Sequence, residues 1–144
     1  MLYYDTNLEF KGATLLSSDE ASTLLTEQER KYIIGWWLRT PGNHSYYMCY
    51  VYGDGHVHYY GSNVLLNNNG IRPALQIANL GNFKVGDIFS IGDYYFKIIS
   101  PTRAWMYLQD IGTDYFDEKS NNYKASHVKQ IIDSWFKELK EEMK

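Results

Sequence analysis

Three histidines in the first half of the chain have a type and spacing that could support metal or acid–base chemistry. His56 and His58 lie two residues apart in a predicted strand, so they share a face, and His44 is near in sequence. Three imidazoles can bind zinc. No acidic or cysteine ligand accompanies them at a metal-binding spacing, and a solvent-facing hairpin is the alternative interpretation. We therefore expect no cofactor and no metal, and keep a small metal- or ligand-dependent enzyme using these histidines as a second hypothesis.

Cys49 is the single cysteine of the chain, and a thiol beside an imidazole could act as a nucleophile. Cys49 stands between Met48 and Tyr50 in a predicted strand, however, where a small buried residue is the usual occupant. We predict a core position for Cys49 and no catalytic residue. A lone cysteine forms no internal disulfide, which fits a reducing compartment.

Calcium-dependent sugar binding requires a loop rich in acidic and amide oxygens. Between Trp36 and Ile77 the only acidic residue is Asp54, which falls in a predicted turn. Calcium-dependent sugar binding is therefore not expected. Asn67–Asn69 could still hydrogen-bond a sugar or a peptide without metal, or could simply form a turn.

Tyrosine is unusually abundant, with 14 of 144 residues, and aromatic residues make up 17% of the chain. Tyrosine provides a large contact area at low entropy cost, and Trp, Tyr and Arg dominate binding hot spots. Trp36, Trp37 and Arg39 form the densest such cluster, although a structural role is the alternative, with a buried Trp and with Arg39 or Arg72 binding backbone carbonyls. The residues predicted to bind a partner are Trp37, Arg39, Tyr46, Tyr47, His56, His58, Tyr60 and Asn63.

Two hairpins and two helical regions are predicted to position these residues. Gly and Asp residues between short aromatic runs favour tight turns. Capping boxes at Ser17–Glu20 and Thr26–Glu29 predict one kinked helix or two short helices over about residues 19–33. An apolar stripe with spacings of three and four predicts a core-facing helix from about Ala125. The predicted strands are 48–52 with 56–60, 64–66, 71–77, 87–91 with 94–99, and 104–108, and residues 110–122 are predicted to form a loop.

The length and composition indicate a single globular domain over residues 1–144. With 44% hydrophobic and 22% charged residues, the chain is neither disordered nor a coiled coil. A net charge of −3 argues against nucleic-acid binding through bulk charge. The sequence begins without the pattern of a signal peptide and has no apolar stretch near 20 residues, so we expect a cytoplasmic protein that does not contact membranes.

Three motifs in order carry a resemblance to a known family. These are Trp36–Gly42, Tyr50–Gly55 and Gly70–Leu75. They resemble the closing signature WWLRSPG, YVxxDG, GVRPAL of a bacterial and phage domain family of unknown function. That family is similar to the C-type-lectin-like fold of the sulfatase-modifying-factor and retroelement variable-protein type. The resemblance implies an α+β fold with two antiparallel, hairpin-rich sheets and two main helices.

The second half resembles the same family out of order. Residues 81–144 resemble its N-terminal half, whereas residues 1–80 resemble its C-terminal half. This order implies a circularly permuted monomer or a domain-swapped homodimer. The first and last strands of the lectin-like fold pair with each other, so the permutation implies that Ala78–Asn82 joins two adjacent strands.

The resemblance also implies a function, an origin and a location. Sulfatase-modifying relatives use paired redox cysteines, and with one cysteine here that activity is not implied. We expect a non-catalytic binding module that recognises a protein or glycan through an aromatic, Asn-rich face. The family context implies a phage or prophage origin, in the host cytoplasm or in a virion. A structural assembly subunit of a virion is a further alternative.

Overall fold

A computed structural model describes residues 7–143 and the backbone of residues 2–3. Within these residues the chain forms nine strands and three α-helices, with a 3-10 turn at Tyr123–Ala125 before the last helix. The strands are β1 (Leu2–Tyr3), β2 (Glu9–Thr14), β3 (Trp36–Pro41), β4 (Tyr47–Val51), β5 (Val57–Asn63), β6 (Ala74–Asn79), β7 (Ile88–Ile91), β8 (Tyr94–Ser100) and β9 (Arg103–Met106). The helices are α1 (Ser18–Leu24), α2 (Glu27–Arg30) and α3 (His127–Glu142).

The larger sheet has six strands in the order β1-β7-β8-β9-β6-β2. Its pairs are antiparallel except for β1 with β7, which is parallel. Strands β2 and β6 come from the first half of the chain, and β7, β8 and β9 come from the second. The two halves therefore build one sheet together.

The smaller sheet has three antiparallel strands in the order β3-β4-β5. Tyr50 pairs with His58 and Val51 with Val57, so the first predicted hairpin is confirmed. The second hairpin, β7 with β8, is confirmed too. The predicted mixed α+β class with two largely antiparallel sheets is thus observed.

The strand predicted at Val64–Leu66 is wrong. Strand β5 continues to Asn63, and the chain then turns at Val64. The Asn63 side chain accepts a hydrogen bond from the Leu65 amide at 2.9 Å, and the Asn63 carbonyl accepts one from Leu66 at 3.0 Å. This Asx turn offers the backbone an alternative to strand pairing.

The strands on either side of Ala78–Asn82 are not adjacent, contrary to the expectation from the lectin-like fold. Strand β6 pairs with β2 and β9, and strand β7 pairs with β1 and β8. Two strands, β9 and β8, therefore separate them. The connector crosses the sheet, from β6 beside one edge strand to β7 beside the other, instead of closing a hairpin.

The structure confirms that the last helix faces the core and that the two short helices begin at the predicted capping boxes. Both capping boxes are present, at Ser17 and at Thr26, and they begin two short helices. Helix α3 packs against β2. Its buried stripe consists of Val128, Ile132, Trp135, Phe136 and Leu139. No helix within the described residues is long and apolar enough to cross a membrane.

Candidate functional site

Trp37 is fully buried, so its predicted contact with a partner is wrong. Its exposed fraction is 0%, and its indole Nε1 donates to the Asp114 carbonyl at 3.0 Å. Its ring packs T-shaped against Phe116 and Tyr50, with centroids 5.5 and 6.3 Å away. Trp36 is also buried, because β3 packs against core side chains on both faces.

Arg39 takes the structural role that was the alternative to binding. Its Nη1 donates to Glu20 Oε1 at 2.5 Å and to the Leu15 carbonyl at 2.7 Å. Arg103 Nε donates to the other oxygen of Glu20 at 2.9 Å. Arg39 therefore joins β3 to α1, and its side chain is 28% exposed. Burial alone would raise the pKa of Glu20, but the Ser17 amide and the two arginines lower it overall.

Arg72 is buried in an aromatic stack, which confirms its expected contacts with backbone carbonyls. Its Nε donates to the Gln109 carbonyl at 3.0 Å and its Nη2 to the Met106 carbonyl at 3.3 Å. The guanidinium carbon lies 4.2 Å from the ring centroids of both Tyr32 and Trp105. Burial lowers the pKa of Arg72 to about 10, and the group stays charged at neutral pH.

Cys49 occupies the core, as predicted. It is 1% exposed, and its thiol donates to the carbonyls of Pro41 and Tyr59 at 3.5 and 3.3 Å. Burial raises the pKa of the thiol. A buried thiol that is protonated at neutral pH is a poor nucleophile.

The three histidines of the alternative enzyme site have separate neighbours. His44 stacks on Tyr46, and half-buried His58 lies against Tyr50. His56 precedes β5 and lies in the turn, which corrects its assignment to the strand, and its ring contacts the carboxylates of Asp54 at 3.1 Å and Glu27 at 3.3 Å. In the part of the chain that the structure describes, no three His, Cys, Asp or Glu side chains are grouped to hold a metal ion.

Three predicted binding residues, Tyr46, Tyr47 and Asn63, are neighbours where the loop before β4 meets the end of β5, and Tyr60 lies on the same strand β5. The Asn43 amide donates to the Tyr60 carbonyl at 2.7 Å, and Tyr47 pairs with Asn63. Tyr60 is 67% exposed and Tyr46 is 47% exposed, whereas Tyr47 is half-buried. We call Tyr46, Tyr47, Tyr60 and Asn63 the tyrosine face.

A cleft lies on the same sheet, and most of its residues were not predicted as a site. Its volume is about 350 Å³. Tyr52 forms part of its wall and is 42% exposed, and His58 packs behind Tyr52 with ring centroids 4.3 Å apart. The residues that line the cleft are Ile34, Gly35, Tyr50, Tyr52, Ser62, Leu66, Asn68 and Asn69.

Asn69 is the most buried polar side chain of the cleft. It is 6% exposed. Its Oδ1 lies over Gly35, where an added Cβ would be 2.6 Å from it, so a larger residue at position 35 would have to displace the Asn69 side chain. The Asn67–Asn69 run was the sequence signal for this cleft, but a turn explained the run equally well.

The eight described lining residues carry no formal charge at neutral pH. Burial and a hydrogen bond with Tyr52 raise the pKa of Tyr50, so this phenol is neutral as well. The cleft therefore combines aromatic and aliphatic walls with uncharged hydroxyl and amide groups.

This arrangement is that of a mixed α+β protein whose smaller sheet exposes tyrosines and a neutral cleft. The chain belongs to a family described as a domain of unknown function, DUF6273, whose sequence profile matches residues 5–79. The match contains the smaller sheet, both short helices, the cleft and the tyrosine face. Comparisons with curated proteins and with solved structures find no significant match.

Proposed function

We propose that this protein is a non-catalytic binding module that recognises a protein or a glycan through its smaller sheet. The observation that carries the proposal is that the smaller sheet and its loops expose large tyrosines, with Tyr46 47% and Tyr60 67% exposed, and that residues of the same sheet line a cleft. Large amphipathic side chains at low entropy cost favour recognition at such a surface.

The chemistry of the candidate nucleophile and bases supports binding over catalysis. Cys49 is buried and its pKa is raised, whereas His44, His56 and His58 have separate neighbours. A nucleophile needs a base within hydrogen-bonding reach, and the thiol contacts two backbone carbonyls instead.

The proposal includes a C-type-lectin-like, circularly permuted fold, of phage or prophage origin, in a host cytoplasm or a virion. Its support is the sequence resemblance together with the shared sheet, in which β7, β8 and β9 complete strands from the segment matched by the family. The separation of β6 from β7 counts against a permutation that simply joins paired ends.

The tyrosine face is tested with the variants Tyr46→Ser and Tyr60→Ser on a glycan array and in pull-downs from bacterial lysate. We expect the wild type to retain a ligand and each variant to lose at least about tenfold in affinity, as for a hot-spot residue. Tyr95→Ser is the matched control, because Tyr95 is 38% exposed on the larger sheet.

A blank array combined with an empty pull-down would contradict the binding function. Self-association of the purified protein without any added ligand would instead favour the assembly-subunit alternative. Equal retention by Tyr60→Ser and wild type would show that the ligand binds elsewhere.

A further inference from the structure

We propose that the cleft lined by Tyr50, Tyr52, Asn68 and Asn69 binds one neutral sugar residue without a metal ion. This inference rests on the proposed binding function and names its ligand. The family match leaves both the site and the ligand class open.

The absence of charged residues among the described lining of the cleft favours an uncharged ligand. None of its eight described lining residues is acidic or basic. A carboxylate or phosphate entering it would lose water without gaining an opposite charge, which is costly. For the same reason the cleft offers no ligand set for calcium, which prefers carboxylate oxygens.

The polar groups of the cleft suit a ligand rich in hydroxyl groups. Asn69 lines the cleft and is only 6% exposed. Its side-chain amide can both donate and accept a hydrogen bond. Asn68 and Ser62 provide further groups that donate and accept, and a sugar hydroxyl does both.

The apolar side chains of the cleft suit the C–H groups of a sugar ring. Ile34 and Leu66 line the cleft, and the Tyr52 ring is 42% exposed beside them. These surfaces can cover the C–H groups of a pyranose while its hydroxyls reach the amides. The volume, about 350 Å³, lies at the small end of ligand sites and fits one ring better than a chain.

A peptide is the competing ligand, and the cleft favours it less. Recurring peptide sites use a charged pocket, a long apolar groove or backbone pairing along a strand. Here the lining side chains enclose a short neutral space between the hairpin and residues 66–69. Peptide binding is therefore an outcome of the test and not the proposal.

The test is an NMR titration of the full chain with methyl glycosides of glucose, galactose and N-acetylglucosamine, each up to about 10 mM to detect weak binding. We expect at least one glycoside to shift the amide signals of Ser62 and Asn69 in the presence of EDTA. Methyl glucuronide, which carries a carboxylate, should bind at least about tenfold more weakly.

Two neighbouring asparagines provide a matched pair of variants. Both are exposed, but Asn68 lines the cleft and Asn67 does not. Asn68→Ala should weaken glycoside binding by about fivefold or more, and Asn67→Ala should leave it unchanged. Tyr52→Leu should weaken binding by a similar factor, because the aromatic ring is lost from the wall although an apolar side chain remains.

The sugar proposal is overturned if no glycoside shifts the cleft signals, if EDTA abolishes binding, or if Asn67→Ala and Asn68→Ala behave alike. A mixture of short peptides that shifts the same signals while the glycosides do not would also overturn it. The proposed binding function is tested separately. It is still supported if Tyr46→Ser or Tyr60→Ser loses a partner that the wild type captures.

Discussion

Glu20 is the residue at which three elements meet. It is the third residue of α1, where its carboxylate accepts from the Ser17 amide, and it also pairs with Arg39 from β3 and Arg103 from β9. Its side chain is 20% exposed, so the pairs are only partly screened by water. A motif that suggested recognition, Trp-Trp-Leu-Arg, thus contributes its arginine to an internal ion-pair network.

Replacing this carboxylate with an amide, Glu20→Gln, should lower the unfolding free energy at pH 7 by about 1–2 kcal/mol, because two arginines lose their charged partner. The measurement is urea denaturation followed by circular dichroism. Glu9→Gln is the control, since Glu9 is exposed on β2. An equal effect of both variants would contradict a special role for Glu20.

The same variant gives a pH prediction. The folded-state pKa of Glu20 lies below its ordinary value of 4.5, so its contribution is complete above that pH. The contribution is lost as the pH falls through the lowered folded pKa. The stability difference between wild type and Glu20→Gln should therefore shrink below pH 4.5. A difference that grew on acidification would refute this assignment.

Arg72→Lys should cost about 2–4 kcal/mol, although it keeps the charge. A lysine ammonium cannot fill the flat space between the Tyr32 and Trp105 rings or donate in two directions to the backbone. The measurement is thermal unfolding of Arg72→Lys, with Arg103→Lys as the comparison variant. A lysine at position 103 could keep one contact with Glu20. We expect the smaller loss at position 103.

At this scale, residue type predicted some roles and could not predict others. The single cysteine and Arg72 were assigned correctly, since a small thiol within a strand and an arginine beside buried strands have few alternatives. The binding role of Trp37 was wrong because the first three residues of β3 are buried. No alternation of polar and apolar residues marks which face of such a strand meets solvent.

The two capping boxes look equivalent in sequence but support helices that differ in burial. Helix α1 buries Ser18 and Ala21, whereas α2 has no buried residue. Both boxes hold a glutamate that is ion-paired, Glu20 with two arginines and Glu29 with Lys97. The same local motif therefore has different consequences for the stability of the whole chain.

Ser17→Ala should reduce global stability by about 1 kcal/mol, the usual value of an N-cap. Thr26→Ala should produce a smaller global loss and faster local exchange of the α2 amides, because α2 is short and has no buried residue. Hydrogen exchange measured by mass spectrometry separates the two responses. Identical losses in both variants would show that α2 is as tightly coupled as α1.

Local signals predicted the elements better than their partners. Turn glycines, caps and apolar periodicity predicted both hairpins, the two short helices and α3. The position of β6 between β2 and β9 depends on pairing between residues far apart in sequence, which no local pattern encodes. The cleft was missed for the same reason, since Ile34 and Tyr52 meet Asn69 only after folding.

At the scale of the whole molecule, both halves share one core. The largest cluster of buried side chains includes Leu15, Trp37 and Leu75 together with Phe96 and Ile132. We expect one cooperative transition, in which tryptophan fluorescence and far-ultraviolet circular dichroism give the same midpoint. Two separate midpoints would mean that the halves fold independently.

The strand pairing also predicts a monomer. Within the described residues of one chain, β6 already pairs with β9, so no second copy is needed to join the halves. Size-exclusion chromatography with light scattering should give the mass of a single chain, 16.9 kDa. A dimer mass would favour exchange of the halves between two chains.

The place of β6 also has a consequence for any shorter form of this chain. The family match ends at Asn79, the last residue of β6, whereas the neighbouring strand β9 lies outside the match. A fragment of residues 5–79 would leave one edge of β6 with unpaired backbone groups beside the apolar side chains of Leu75 and Ile77. Bare edges of this kind template aggregation. A fragment of residues 5–79 should therefore aggregate more readily than the chain of residues 1–144.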